Sequence, residues 1–206
     1  VILSQRNKNI NLDINFTKNK NNPLVIFSHG FKGFKDWGPF NFISDKFVKS
    51  GLNFLKFNFS HNGVTSEKPL EFTDLEAFGN NNFSIELEDL ESVIGWAKNN
   101  LNQKVDLSRI YLLGHSRGGG ISILNAATNS NVKKLVSWAS VSDFEKRIEN
   151  DKVNLWKKRG VVYVFNSRTN QQMPLYYQFY EDYMSNKSQF SIPNACRKIS
   201  IPTLII

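Results

Sequence analysis

With 206 residues, 40% hydrophobic, 13% aromatic and 21% charged, the chain has the size and composition of one globular domain of two or three layers; a disordered tail, a collagen-like chain and a repeat array are excluded. Its net charge of +8 is uneven, because residues 1–132 carry 14 basic and 12 acidic side chains whereas residues 133–206 carry 12 and 6. The basic excess, which includes Lys157-Lys158-Arg159, has no RNA-binding signature, zinc-finger spacing or heptad-linked basic region around it; it reads as a solvated face, and no nucleic-acid partner is expected.

In chain order, Ile10, Leu12, Ile14 and Phe16 alternate with Asn11, Asp13 and Asn15, the period of a half-exposed strand in an edge hairpin. After Asn21-Asn22-Pro23, the continuous run Leu24-Val25-Ile26-Phe27 predicts a strand buried on both faces of a parallel sheet, ending in Ser28-His29-Gly30. A helix follows from about Pro39 to Lys49, stopped by Ser50-Gly51, then a strand from Leu52 to Phe59. Residues 60–82 read as a long loop with at most one short helical turn. Phe83, Leu87, Leu90, Ile94, Ala97 and Leu101 recur at helical spacing, with the acidic cluster Glu86 to Glu91 assigned to the solvent face. Arg109 to Leu113 reads as a buried strand, Ile121 to Thr128 as a helix and Lys134 to Val141 as a strand. This alternation places the chain in the α/β class with a mostly parallel sheet flanked by helices. Beyond it come a charged helix near Phe144 to Arg159, a short strand at Val161 to Phe165, a tyrosine-rich stretch from Gln171 to Met184, and the start of a buried strand at Ile201 to Ile206. The expected organisation is a single domain over residues 1–206 with a small cap inserted at 143–198.

The longest apolar runs fall far below the ~20 residues that a membrane-spanning helix needs, so no membrane span is expected. The chain opens Val-Ile-Leu-Ser without a basic-then-apolar leader, and its single cysteine, Cys196, excludes an internal disulfide and a cysteine-rich zinc site. A cytoplasmic location is the expectation; the oligomeric state is left open.

The sharpest motif is Gly114-His115-Ser116-Arg117-Gly118, a G-x-S-x-G pattern between a predicted buried strand and a predicted helix. A nucleophilic hydroxyl on a tight strand-to-helix turn needs the space that Gly114 and Gly118 leave, and the following helix aims unpaired N–H groups at it. A second motif, His29-Gly30-Phe31-Lys32-Gly33, follows the earlier buried strand. His29 is assigned to fixing that loop by hydrogen bonds. For His115, packing or hydrogen bonding is weighed above catalysis.

Carrying these two motifs in this order, the chain resembles the serine-dependent α/β-hydrolase superfamily, in particular the esterase-like branch with His-Gly-Phe-x-Gly in place of the lipase His-Gly-Gly-Gly. The resemblance runs from about residue 10 to residue 206. It implies an α/β-hydrolase fold, a small-molecule acyl substrate, an acyl-enzyme intermediate, no metal and no organic cofactor, with Ser116 as nucleophile and the backbone N–H groups of Phe31 and Arg117 as the oxyanion hole. It also implies an acid and a histidine after the serine, in that order.

The chain has three histidines, His29, His61 and His115, and none follows Ser116. Ile201 to Ile206 resembles the strand that precedes the acid in the family. A C-terminally truncated chain is therefore expected, with acid and base on roughly fifty residues beyond Ile206, since a βα unit takes about 30. Asp143 is the internal candidate for the acid, against helix capping by Ser142 or Asp143. His61 is a weaker candidate for an out-of-order base.

The predicted function is a serine hydrolase of carboxylic esters, with little turnover in this 206-residue form. Peptidase, thioesterase or acyltransferase chemistry on the same fold, or a non-catalytic binding module, are the alternatives. Trp156, Tyr163, Phe165, Met173, Tyr176, Tyr177, Phe179, Tyr180 and Phe190 either line an apolar acyl pocket or pack the cap onto the sheet. Lys32 and Lys35 either attract an anionic substrate or are simply solvated. Glycine spacing at Gly33 to Gly38 and Gly114 to Gly119 lacks the lysine of a nucleotide-binding loop, and no H-E-x-x-H occurs.

Overall fold

The computed structural model describes residues 1–148 and 153–206. Two short strands, β1 (Ile2–Leu3) and β2 (Asn9–Ile10), form a small antiparallel ribbon, and β3 (Leu12–Asn15) then enters the main sheet. That sheet is completed by β4 (Pro23–Ser28), β5 (Asn53–Phe57), β6 (Asp106–His115), β7 (Val132–Trp138) and β10 (Thr203–Ile205), in the spatial order β10-β7-β6-β4-β5-β3. Only β3 runs antiparallel to its neighbour.

The apolar run in β4 is explained by two-sided burial. Leu24 and Ile26 belong to the core under α3 (Phe83–Asn100) and α4 (Arg117–Ala126), while Val25 and Phe27 face α1 (Phe40–Lys49) through Phe40 and Phe47. Successive side chains of a strand point to opposite faces, so both sets must be apolar. Asn82 caps α3, its side chain accepting the Ile85 N–H at 2.9 Å. The strand ending at Val141 in the sequence reading stops at Trp138, and β6 begins three residues earlier than expected.

Strand order fixes the place where a ligand can sit. From β4 the chain turns outward through α1 to β5, and then crosses back through α3 to β6 on the other side of β4. The gap between the C-terminal ends of β4 and β6 is thus a topological switch point, the usual ligand crevice of open α/β sheets. Register makes the two ends level: Ser28 pairs with Gly114, and Gly114 with Ser137.

The long loop contains α2 (Leu75–Gly79), capped by the Asp74 carboxylate on the Ala77 N–H at 2.9 Å. The helix expected near Phe144 to Arg159 is instead a 3-10 turn at Glu145–Arg147 and α5 (Val153–Arg159), and residues 149–152 of that expectation lie outside the described residues. An antiparallel hairpin follows, β8 (Val161–Asn166) with β9 (Gln171–Tyr176), then α6 (Gln178–Ser185) and α7 (Ile192–Lys198). The hairpin is tied to the long loop by Gln171 Nε2 donating to the Phe72 carbonyl at 2.9 Å and by the Tyr176 hydroxyl on Glu76. Among the described residues, no helix is long and apolar enough to cross a membrane.

Candidate active site

Ser116 stands alone between β6 and α4 with φ 54° and ψ −120°, a left-handed conformation that an L residue adopts only when its surroundings force it. Packing supplies that force. A Cβ added at Gly118 would stand 2.4 Å from the Ser28 carbonyl oxygen, and one at Gly114 would stand 2.4 Å from the Gly118 oxygen. Only glycine lets α4 start this close to β4. The Ser116 side chain makes no capping hydrogen bond to the helix, so its hydroxyl is not consumed structurally.

The loop after β4 leans on the serine: a Cβ at Gly30 would lie 2.9 Å from the Ser116 Cβ. Two backbone N–H groups here, Phe31 and Arg117, have no acceptor among the described residues. Each belongs to a peptide plane whose carbonyl is pinned. The Gly30 oxygen accepts from Gly33 N–H at 3.1 Å and from His29 Nδ1 at 2.9 Å. The Ser116 oxygen accepts from Gly119 at 3.0 Å and from Gly120 and Val141 at 3.3 Å. Since a trans peptide is planar, fixing each C=O fixes the opposed N–H.

His29 is buried, and that burial lowers its pKa to about 4, against the partial compensation of its bond to Gly30. It is therefore neutral, with Nδ1 donating to Gly30 and Nε2 accepting the Phe59 N–H at 3.3 Å. Both ring nitrogens are occupied in holding the loop. His115 is half-buried against Trp138, with ring centroids 4.7 Å apart, and Phe40 at 5.8 Å; burial, then the Arg168 charge, lowers its pKa. His61 lies elsewhere, its Nδ1 2.8 Å from the Ser60 hydroxyl, with Lys8 and Arg6 near it. No imidazole forms a hydrogen bond to Ser116 among the described residues. Asp143 uses Oδ1 to accept the Glu145 N–H at 2.8 Å, the capping arrangement that competed with its reading as an acid.

A cavity of about 390 Å³ opens at Ser116. Arg117, Phe31, Phe83, Phe144, Trp156 and Phe179 are among its walls, and the hairpin adds Val162, Tyr163, Val164 and Leu175. Of the nine residues weighed for an acyl pocket, Trp156, Tyr163 and Phe179 line it. Met173 and Phe190 are core, Phe165 is exposed, and Tyr176 faces Gly79 and Glu76.

Two readings of charged residues are corrected. Glu86 and Asp89, assigned to the solvent face of α3, are 3% and 1% exposed. Burial raises the pKa of both, that of Asp89 to about 7, and Asp89 accepts the Ser60 N–H at 2.7 Å. Glu86 reaches Arg117 Nη1 at 3.4 Å. Helical spacing puts positions 86 and 89 beside the apolar stripe at 87 and 90, but hydrophobic period counts them as polar and does not reveal that they face inward. Lys35 is likewise not solvated: its ammonium is held by Asp13 and Asp36, each at 2.5 Å, and Lys56 joins the same two carboxylates. Lys32 donates to the Phe165 carbonyl at 3.0 Å, tying the loop to the hairpin.

No family model matches the chain. It is 25% identical over 121 residues to the quorum-quenching protein AidA of Acinetobacter baumannii (strain MDR-ZJ06), a match covering 59% of this chain and 36% of that protein, so the match spans about a third of the relative's length. Among solved structures, the α/β hydrolase GrgF from Penicillium sp. sh18 superposes with a TM-score of 0.74 at 16% identity, covering 99% of this chain and 77% of that one. Est1E from Butyrivibrio proteoclasticus, described with ferulic acid bound, gives 0.66 at 16% identity over 95% and 73%. An acetyl xylan esterase from Paenibacillus sp. R4 gives 0.66 at 18% identity over 98% and 65%.

Proposed function

We propose that this chain, which has the α/β-hydrolase fold, is a serine-dependent hydrolase of carboxylic esters. Ser116 attacks the ester carbonyl, the Phe31 and Arg117 N–H groups receive the developing oxyanion, the alcohol departs, and water then releases the acid from the acyl-enzyme. The observation that carries the reading is the strained Ser116 backbone with a free hydroxyl beside two N–H groups that lack partners and whose peptide planes are held by other bonds. The esterase names among the structural neighbours support the same reaction class.

A serine hydroxyl needs a base, and the three imidazoles are bonded or packed elsewhere. The proposal therefore assigns acid and base to residues outside these 206, and predicts little turnover without them. The residues 143–198 act as a cap whose hairpin closes the acyl pocket. Hydrolysis of short p-nitrophenyl esters by the full natural protein tests this: Ser116→Ala should remove activity by 10³-fold or about that order. Undiminished turnover in Ser116→Ala refutes the assignment. The unpaired hydroxyl also favours a second reading, a binding module that kept the shape without the chemistry; tight ligand binding with no turnover in the full protein would select it.

A further inference from the structure

The walls of the cavity at Ser116 are apolar except for the serine, the Tyr163 hydroxyl and one cation, Arg117. The guanidinium is wedged among aromatic rings, its Cζ 3.9 Å from the Phe31 centroid, 5.3 Å from Phe83 and 5.4 Å from Phe179. Its carboxylate partner is Glu86, and the contact is poor. It runs from Nη1 alone, at 3.4 Å, to an Oε1 that already accepts from Asn81 Nδ2 at 2.8 Å, while Glu86 Oε2 is buried with no partner. The two side chains are 12% and 3% exposed. A forked, two-bond pair would occupy the cation. This one balances its charge and leaves its other N–H donors without an acceptor among the described residues, on a side chain that lines the cavity.

We propose that Arg117 is the specificity-determining side chain of this pocket, and that the site takes carboxylic esters whose apolar acyl chain carries a neutral hydrogen-bond acceptor, a ketone or amide oxygen, within the arginine's reach of the scissile carbonyl. The inference deepens the serine-hydrolase reading and rests on it for the word ester. Charge balance selects the neutral acceptor. With Glu86 ionised against the guanidinium the pair carries no net charge, so a substrate carboxylate would bring a second anion beside Glu86 into a mostly apolar site, and its desolvation would not be repaid. A plain hydrocarbon chain would cover the guanidinium and leave its donors dry. A carbonyl oxygen satisfies them and adds no charge.

Three matched probes test this by calorimetry on the full natural protein carrying Ser116→Ala, in which the ketone can form no hemiketal: 4-phenylbutan-2-one, 3-phenylpropionate and butylbenzene. The ketone should bind more tightly than the carboxylate. In the charge-balanced double variant Arg117→Met/Glu86→Gln, the affinity of the ketone relative to butylbenzene should fall about tenfold. Glu86→Gln alone frees the cation and should reverse the ketone–carboxylate order, which keeps the test decisive should the double variant not fold. A preference for the carboxylate with Arg117 and Glu86 both intact, no binding of any probe, or an unchanged order in Glu86→Gln overturns the proposal. With the Ser116 hydroxyl absent from the protein titrated, these preferences can fail while Ser116 remains the nucleophile, and the loss of esterase activity in Ser116→Ala can fail its own test while they stand.

Discussion

Ser116 carries backbone strain at a single residue. Its φ of 54° is costly for any residue with a Cβ, and the turn holds it there because Gly114 and Gly118 let the helix press on β4. Glycine at position 116 would release that strain. Ser116→Gly should therefore be more stable than Ser116→Ala by about 1 kcal/mol, a comparison in which both variants lack the hydroxyl. Chemical denaturation of the two reads it directly; equal midpoints would mean that the backbone at 116 is unstrained. His29 completes the residue-level picture: a ring kept neutral by burial holds the Gly30 carbonyl, and so fixes the plane that carries the Phe31 N–H.

At the scale of elements, the loop after β4 is anchored to the sheet edge by charge. Lys35 and Asp36 on the loop meet Asp13 of β3 and Lys56 of β5, and both lysines and Asp36 are largely buried. Neutralising Asp36 leaves the two ammonium groups facing only Asp13, which is 45% exposed. Asp36→Asn should cost about 2 kcal/mol, less than the loss of an isolated buried pair because Asp13 remains, and a denaturation midpoint indistinguishable from wild type would contradict it. Helix α3 also carries Asp89, a buried carboxylate with no salt-bridge partner among the described residues. Burial raises Asp89 to about 7 from its ordinary 3.8, so between those pH values the folded state keeps a proton that the unfolded state has released. Stability is then lost as pH rises through that window. Asp89→Asn has no such slope and should gain on the wild type by about 3 kcal/mol between pH 4 and pH 8; a difference that does not change with pH would mean that Asp89 ionises normally.

For the molecule as a whole, the sequence was most legible where hydrophobic period and burial coincide. The two-faced run in β4 and the stripe of α3 announced a mostly parallel sheet between helices, and the fold agrees. Glycines spaced around Ser116 announced a crowded turn because nothing else fits there. Period fails where a polar residue borders the apolar stripe: Glu86 and Asp89 count as polar in the pattern yet face inward, where Arg117 and the Ser60 N–H await them. It fails again at Lys35, which shares its neighbour Asp36 with an acceptor distant in sequence, Asp13 on β3. The tyrosine-rich stretch after residue 170 carried no period that separates hairpin from helix; long-range bonds from the hairpin to Phe72, Glu76 and Lys32 hold β8 and β9 over the cavity. What that arrangement converges on is one hydroxyl. The most direct measurement is peptide mapping of the full natural protein after reaction with a fluorophosphonate: the account predicts a single adduct, on the peptide that contains Ser116 and on that residue. An adduct on another serine, or one that persists in Ser116→Ala, would contradict it.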